Sequence, residues 1–299
     1  MRPLERAVVD SLPYLLAFAA GLLVPRRQGK PERFAIGITA ALSLLLVKSL
    51  WPGGPTPDAD PAGEWPYLLS VIVFLPIFGA IALLFLPRQT PTLLKRFTFF
   101  VLGLTALASL GLLAQPMTRG WHYQHIVDWV PSLGIRYHVA VDGVSMWLIL
   151  LCTFSTPVAA YVSFNSITTR IKDLCFAFLM LHGAMLGAFV SLDLFLFFVF
   201  WELLLVPMIL MIGVWGGVEK IKAAYKFFIF TMVGSMLMLA AILYMVWTHN
   251  KLMGYPSFDY LALSRLVMPR TAAWLCFFGF LAAFAIKAVS YTHLTLPTN

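Results

Sequence analysis

Long apolar runs separated by short polar connectors make up most of the chain. A helix that crosses a bilayer needs about 20 mostly apolar residues, and nine runs reach or approach that length. They cover 8–24, 34–51, 66–86, 94–114, 143–164, 174–192, 194–215, 223–248 and 272–290. The pattern predicts an all-α fold, a polytopic transmembrane bundle of eight or nine helices with no β-sheet.

The composition agrees with a membrane protein. Hydrophobic residues make up 61% of the 299 residues and charged residues 11%, whereas soluble domains carry about 25% charged residues. Lipid is therefore the expected solvent. The net charge of +8 does not indicate a nucleic-acid partner, because the basic residues lie mainly in loops between apolar runs.

The distribution of lysine and arginine predicts an orientation. The connectors on one side of the membrane carry more lysine and arginine than those on the other. These connectors are 25–33, 87–96, 165–173 and 216–222. Basic loops stay in the cytoplasm. We therefore expect a multi-pass protein of the bacterial inner (cytoplasmic) membrane with its N-terminus outside. The external segment 115–142 carries tryptophan and tyrosine residues typical of the membrane interface.

A polar stretch divides the chain into parts. Residues 52–65, PGGPTPDADPAGEW, are typical of a flexible external linker. The linker separates an additional N-terminal transmembrane hairpin, 1–51, from the main transmembrane domain, 66–287. Three cysteines, Cys152, Cys175 and Cys276, lie inside apolar runs. They are interpreted as buried hydrophobic residues, and the sequence shows no nucleotide-binding or metal-binding motif.

Two charged residues lie within the predicted spans rather than at their ends. Glu202 is near the middle of 194–215, and Lys287 is deep in 272–290. A charge in hydrocarbon costs several kcal/mol, so such residues usually face a protein interior and serve a function. A Glu–Lys pair that opens and closes would change how strongly the lysine holds its proton. Whether the two residues are in contact is left open by the sequence.

Three further residues are candidates for a proton relay. His182 lies inside 174–192, where a buried, hydrogen-bonded histidine is the alternative interpretation. Asp193 is either a helix cap or a functional group, and Lys226 lies one turn inside its helix, from which it can reach water. Pro207 is expected to loosen the helix between itself and Glu202.

Several strings resemble a known family. DLFLFFVFWELLLVPMILMIGVWGG at 193–217, KIKAAYKFFIFTMVGSMLML at 220–239 and YHVAVDGVSMWLILL at 137–151 are similar to the antiporter-like chain M of proton-translocating NADH:quinone oxidoreductase, respiratory complex I. The resemblance covers roughly 66–287. It matches Glu202 to the family's essential glutamate on helix 5, and Lys287, in AFAIK, to its lysine on helix 7.

The resemblance implies a role without bound cofactors. This chain would be one of three antiporter-like subunits in the membrane arm, with the other membrane-arm subunits and the lipid bilayer as partners. It would bind no NADH, flavin or iron–sulfur cluster itself, although the whole complex uses NADH, FMN, iron–sulfur clusters and quinone. Glu202 would modulate the proton affinity of Lys287. Redox chemistry would take place on other subunits.

The chain departs from the family at both ends. The hairpin 1–51 is additional, and 288–299, AVSYTHLTLPTN, differs from the family's continuation. We expect 288–299 to be a non-native tail of a truncated gene. Three alternatives stay open: a subunit of a multisubunit sodium/proton antiporter, a membrane enzyme that uses His182 as a base, and a nonfunctional membrane fragment.

Overall fold

The computed structural model describes residues 67–114 and 120–294, with side chains up to residue 288. The helices are α1 (Leu68–Leu83), α2 (Pro91–Leu110), α3 (Gly143–Ser166), α4 (Ile171–Val190), α5 (Leu194–Leu203), α6 (Leu205–Trp215), α7 (Lys220–Met253), α8 (Tyr260–Leu263) and α9 (Arg270–Leu294). The strands are β1 (His122–Val130) and β2 (Ile135–Val141), and 3-10 turns occupy Gly111–Ala114 and Pro131–Leu133.

The described part of the chain confirms the transmembrane pattern. By length and composition, six helical segments there can cross a membrane: Pro91–Ala114, Gly143–Ser166, Ile171–Val190, Leu194–Trp215, Lys220–Met253 and Arg270–Ala288. Helix α1 is apolar but shorter. These seven correspond to the last seven predicted spans. The predicted spans 8–24 and 34–51 and the linker 52–65 lie outside the described residues, as do 295–299 at the other end.

The span that contains Glu202 is broken, as Pro207 predicts. Helix α5 ends at Leu203, Leu204 forms a turn, and α6 begins at Leu205. Proline has no N–H and leaves the carbonyl four residues earlier without its helical donor. That carbonyl belongs to Leu203, the residue that follows Glu202. The helix therefore breaks directly after Leu203.

The prediction of a fold without a β-sheet is wrong in one segment. Strands β1 and β2 form an antiparallel hairpin, with Val127 opposite Tyr137 and Asp128 opposite Arg136. Gly134 turns the chain at φ +70, and a Cβ at this position would collide with the carbonyl of Pro256. The segment 115–142 had been interpreted only as interfacial aromatics. Its β-branched and aromatic runs, HYQHIVDWV and IRYHVAV, are typical of a hairpin.

The chain forms two compact units. In the first, comprising 67–114 and 149–183 of the described residues, α1 packs on α2. Gly79 permits this approach, because a Cβ there would lie 2.7 Å from Val101. Lys172 donates to the carbonyl oxygens of Leu84 and Leu86 at 2.7 and 2.8 Å. The lysine thereby satisfies carbonyls left free where α1 ends.

The second unit contains the hairpin and residues 184–294 of the described chain. Its main contact is α7 with α9, and glycines bring the two helices close together. A Cβ at Gly279 would lie 2.9 Å from the carbonyl oxygen of Leu237, and one at Gly234 would lie 2.9 Å from Ile286. The core joins α7 and α9 to the hairpin and to α8 through Ile135, Met238, Ile242, Val246, Phe258, Leu263 and Ala283.

Candidate functional site

Lys287 is bound by Trp201 of α5 within the second unit. Its Nζ donates a hydrogen bond of 2.9 Å to the carbonyl oxygen of Trp201. The same Nζ lies 3.9 Å from the centroid of the Trp201 ring. A ring face attracts a cation, so one tryptophan binds the ammonium through both its backbone and its side chain. Helix α9 continues past Lys287 to Leu294, which places the lysine within the helix.

Glu202 is the next residue after Trp201 and is half-buried. In the described part of the chain it makes no direct ion pair with Lys287, although it directly follows the Trp201 carbonyl that binds the lysine. The structure therefore brings the predicted pair to adjacent positions and keeps the charges apart. The break after Leu203 lies immediately beyond the carboxylate.

Aromatic rings pack around Trp201, the residue that binds the lysine. Trp201 contacts Phe284 edge-on, with centroids 5.3 Å apart, and Phe197 at 5.6 Å. Phe280 packs beside Phe284, and Trp201 and Phe280 both pack against the core of the second unit. Apolar walls of this kind reduce the local dielectric, which strengthens charge–charge interactions. Small displacements of a charge in this site have large electrostatic effects.

Asp193 is the N-cap of α5. Its Oδ1 accepts from the N–H groups of Phe195 and Leu196 at 2.9 and 3.0 Å, and its Oδ2 accepts from the N–H of Arg136 at 3.0 Å. Burial raises the pKa of Asp193, and the nearby Asp259 carboxylate adds to this, while the three N–H donors oppose the rise. The geometry favours the cap over the relay.

Lys226 lies on the first turns of α7 and is exposed in this structure. Its position seven residues into α7, at the end that begins with Lys220, agrees with a side chain that reaches water from inside the helix. Lys222, one turn earlier in α7, pairs with Glu219 at 3.2 Å.

His182 belongs to the first unit and is completely buried. Its Nδ1 lies 3.0 Å from the Thr156 hydroxyl and 3.6 Å from the Cys152 sulfur. Within the described residues its Nε2 has no hydrogen-bond partner. The histidine thus has one ring nitrogen engaged and one available for a proton or a water molecule.

One polar pair was missed by reasoning from sequence. His138 on β2 and Asp259, the N-cap of α8, lie 2.7 Å apart between Nδ1 and Oδ2. Asp259 has a cap signal in the sequence, since it directly precedes the apolar run YLAL. No comparable signal marks His138. Its role depends on strand pairing between segments distant in sequence.

These features define a class: a multi-span α-helical membrane protein with an acid and a base at a broken helix. Residues 191–295 match a family model described as "NADH:quinone oxidoreductase/Mrp antiporter, TM". The match includes Asp193, Glu202, Lys226 and Lys287.

Individual proteins are similar to this chain over about three quarters of its length. The chain is 37% identical over 248 residues to NADH-quinone oxidoreductase subunit M of Rhodobacter capsulatus, which covers 77% of this chain and 47% of that protein. It is 32% identical to NADH-ubiquinone oxidoreductase chain 4 of Marchantia polymorpha, over 77% of this chain and 46% of that one. A chain of Thermus thermophilus respiratory complex I superposes with a TM-score of 0.62 at 32% identity, over 73% and 44% of the two chains.

The resemblance predicted from the sequence is therefore confirmed. The chain is similar to subunit M and chain 4 of these oxidoreductases, and its fold resembles that of a chain of respiratory complex I over the part compared. It spans about half the length of the curated relatives that it matches.

Proposed function

We propose that this chain is a membrane-arm subunit of a proton-translocating NADH:quinone oxidoreductase and that it moves protons through Glu202 and Lys287. The chain acts as part of an oxidoreductase and carries no redox or NADH site of its own. NADH, FMN, iron–sulfur clusters and quinone are bound by other subunits. Its partners are the other membrane-arm subunits and the lipid bilayer of the bacterial inner membrane, with the N-terminus outside.

One observation carries this proposal. Lys287 is bound by Trp201, directly beside Glu202, at the point where the span Leu194–Trp215 is interrupted. Here the ammonium is held near the carboxylate and apart from it, so a small movement at the break would change the distance between the charges. That distance sets how strongly Lys287 holds its proton.

The remaining candidates take different parts in this proposal. His182, with its free Nε2, and Lys226, exposed near an end of its span, are the candidate relays that exchange protons with the site. Asp193 instead fixes the start of α5, and thereby the height of Glu202 in the membrane. We assign no metal and no bound cofactor to any of these residues.

Glu202→Gln tests the proposal. Proton uptake is measured in inverted membrane vesicles that contain the assembled protein, driven by NADH oxidation. We expect pumping to fall sharply in Glu202→Gln and partly to recover in Glu202→Asp, which restores the charge. Glu219→Gln is the matched control, because Glu219 is an exposed carboxylate outside the spans. Pumping at the wild-type level in Glu202→Gln would assign Glu202 a structural role only.

The sodium/proton antiporter is the second candidate, because the matching family description names both kinds of protein. The individual relatives favour the oxidoreductase. A strain that lacks the gene separates the two: an oxidoreductase subunit is required for NADH-driven quinone reduction coupled to proton transport, whereas an antiporter subunit is required for growth in sodium at alkaline pH.

A further inference from the structure

His138, which is buried, and Asp259, which is partly buried, form a pair that the proposed pathway does not use. His138 is 2% exposed, and its Nδ1 lies 2.7 Å from Asp259 Oδ2. Both residues lie outside the membrane spans, in the second unit. A buried imidazole with a charge-assisted hydrogen bond of this length is held in one orientation.

Asp259 is itself fixed by two backbone groups. Its Oδ1 accepts from the N–H groups of Leu261 and Ala262 at 2.7 and 3.3 Å, which leaves Oδ2 for His138. Although burial opposes it, these hydrogen bonds and the interaction with His138 lower the pKa of Asp259 below its usual value. The group facing Nδ1 is therefore an ionised carboxylate, which only accepts hydrogen bonds.

A carboxylate at Nδ1 determines where the imidazole can take up a proton. It places the hydrogen of the neutral ring on Nδ1, so Nε2 carries the lone pair. In the described part of the chain, Nε2 of His138 is buried and has no hydrogen-bond partner. A buried base with a free lone pair and a carboxylate behind it is the arrangement that accepts and returns a proton.

The pair lies at the beginning of the helix that carries Glu202. The carbonyl of His138 accepts from the N–H of Leu192 at 2.9 Å, and the N–H of Tyr260 donates to the carbonyl of Leu192 at 2.8 Å. Asp193 and Asp259 face each other in an isolated antiparallel bridge. The Arg136 guanidinium, which also belongs to this region, is engaged by the exposed Asp128 at 3.1 Å.

We propose that His138 and Asp259 form a proton-accepting dyad at this end of the second unit, where Nε2 of His138 takes up a translocated proton from water and releases it again. An N–H bond forms at Nε2 and the same bond breaks on release, while the Asp259 carboxylate balances the charge of the imidazolium in between. This inference rests on the proposed proton-translocating function. It adds a site on the side predicted to be external.

Asp259→Asn is the decisive variant, because it separates the dyad from the helix cap. An asparagine keeps a carbonyl oxygen for the N–H groups of α8, but its amide group donates to Nδ1. The ring hydrogen then moves to Nε2, and the lone pair is lost from that position. His138→Asn removes Nε2 while leaving an amide near the position of Nδ1, and Asp259→Ala removes both dyad and cap.

The readout is the number of protons moved per NADH oxidised, in vesicles and normalised to assembled protein. If the dyad takes part in translocation, Asp259→Asn and His138→Asn lower this ratio as far as Glu202→Gln does. Asp259→Asn then lowers the ratio as much as Asp259→Ala does. If Asp259→Asn restores the ratio to the wild-type value, the pair is only a cap and the inference is overturned.

The Glu202→Gln vesicles separate this failure from failure of the proposed function. A lowered ratio in Glu202→Gln together with wild-type ratios in both dyad variants rejects the dyad alone. A wild-type ratio in Glu202→Gln rejects the proposed pathway itself. Nitrogen NMR of histidine-labelled protein provides a readout independent of transport: the His138 signal is expected to show a protonated Nδ1 in the wild type and a protonated Nε2 in Asp259→Asn. An unchanged tautomer would overturn the inference.

Discussion

Lys287 and Trp201 are joined twice, by a hydrogen bond of 2.9 Å to the tryptophan carbonyl and by an ammonium that lies 3.9 Å from the ring centroid. This places the lysine's charge against the residue that precedes Glu202 rather than against Glu202 itself. The ring face and the carbonyl together offer the ammonium a binding position that competes with the carboxylate. Substitutions at the site should shift the ammonium between these two positions.

Replacing Trp201 tests that balance. Cation–π attraction is worth about 0.5–2 kcal/mol and is strongest for tryptophan. We expect Trp201→Phe to retain part of the proton pumping and Trp201→Leu to lose most of it, as measured in NADH-driven vesicles. Trp247→Leu is the matched control, because the Trp247 ring also faces a lysine, Lys251 at 5.2 Å, but is exposed at the end of α7. Equal pumping by Trp201→Leu and the wild type would remove Trp201 from the site.

The cap at Asp193 should matter for stability. Loss of an N-cap side chain costs about 1–2 kcal/mol, and Asp193→Ala also leaves the N–H of Arg136 without its acceptor. We expect a lower thermal unfolding midpoint for Asp193→Ala in nanodiscs, with Asp193→Asn in between because its carbonyl still caps α5. Asp128→Ala, which removes only an exposed ion pair, should unfold close to the wild type. An unshifted midpoint in Asp193→Ala would contradict the cap assignment.

Acid should weaken the contribution of Asp259. Burial alone would raise the pKa of Asp259, but the hydrogen bond and the charge of His138 lower it in the folded protein. A carboxyl whose pKa is lower in the folded than in the unfolded protein stabilises the fold at pH values above its unfolded pKa, here near 3.8. It loses this contribution as the pH falls through its folded pKa. The difference in unfolding midpoint between wild type and Asp259→Asn should therefore be largest at neutral pH and shrink below about pH 4. A difference that grows in acid would reverse the sign of this assignment.

The contact between α7 and α9 should not tolerate a larger residue. A Cβ at Gly279 would lie 2.9 Å from the carbonyl oxygen of Leu237, which is backbone and cannot rotate away. We expect Gly279→Ala to destabilise the protein by about 1–3 kcal/mol and to displace Lys287 relative to Trp201. Gly103→Ala in α2 meets no atom within 4 Å and serves as the control, with a neutral or stabilising effect expected because alanine favours the helix over glycine. Thermal unfolding of the two variants side by side distinguishes these outcomes.

Much of the site was accessible from sequence because hydrocarbon leaves few alternatives. A charged residue within an apolar run must be turned towards protein or water, so Glu202 and Lys287 stood out against their neighbours, and Pro207 indicated the break between α5 and α6. Their arrangement was not accessible. The sequence left open whether Glu202 and Lys287 are in contact, and the structure shows Trp201 as the hydrogen-bond partner of Lys287. That choice depends on the rotation of α5 relative to α9, which is set by packing among aromatic side chains.

The sequence alone determined the apolar runs long enough to cross a bilayer, their polar connectors and the rare charges inside them. This is because the cost of placing polar groups in lipid acts on each residue separately. The hairpin, the His138–Asp259 pair and the cap at Asp193 were decided only by the tertiary structure. Each joins segments far apart in the chain, such as β2 at 135–141, the turn at 191–193 and the segment at 258–260. Hydrogen bonds of this kind have no periodicity along one strand or helix, so they exist only once the second unit has folded.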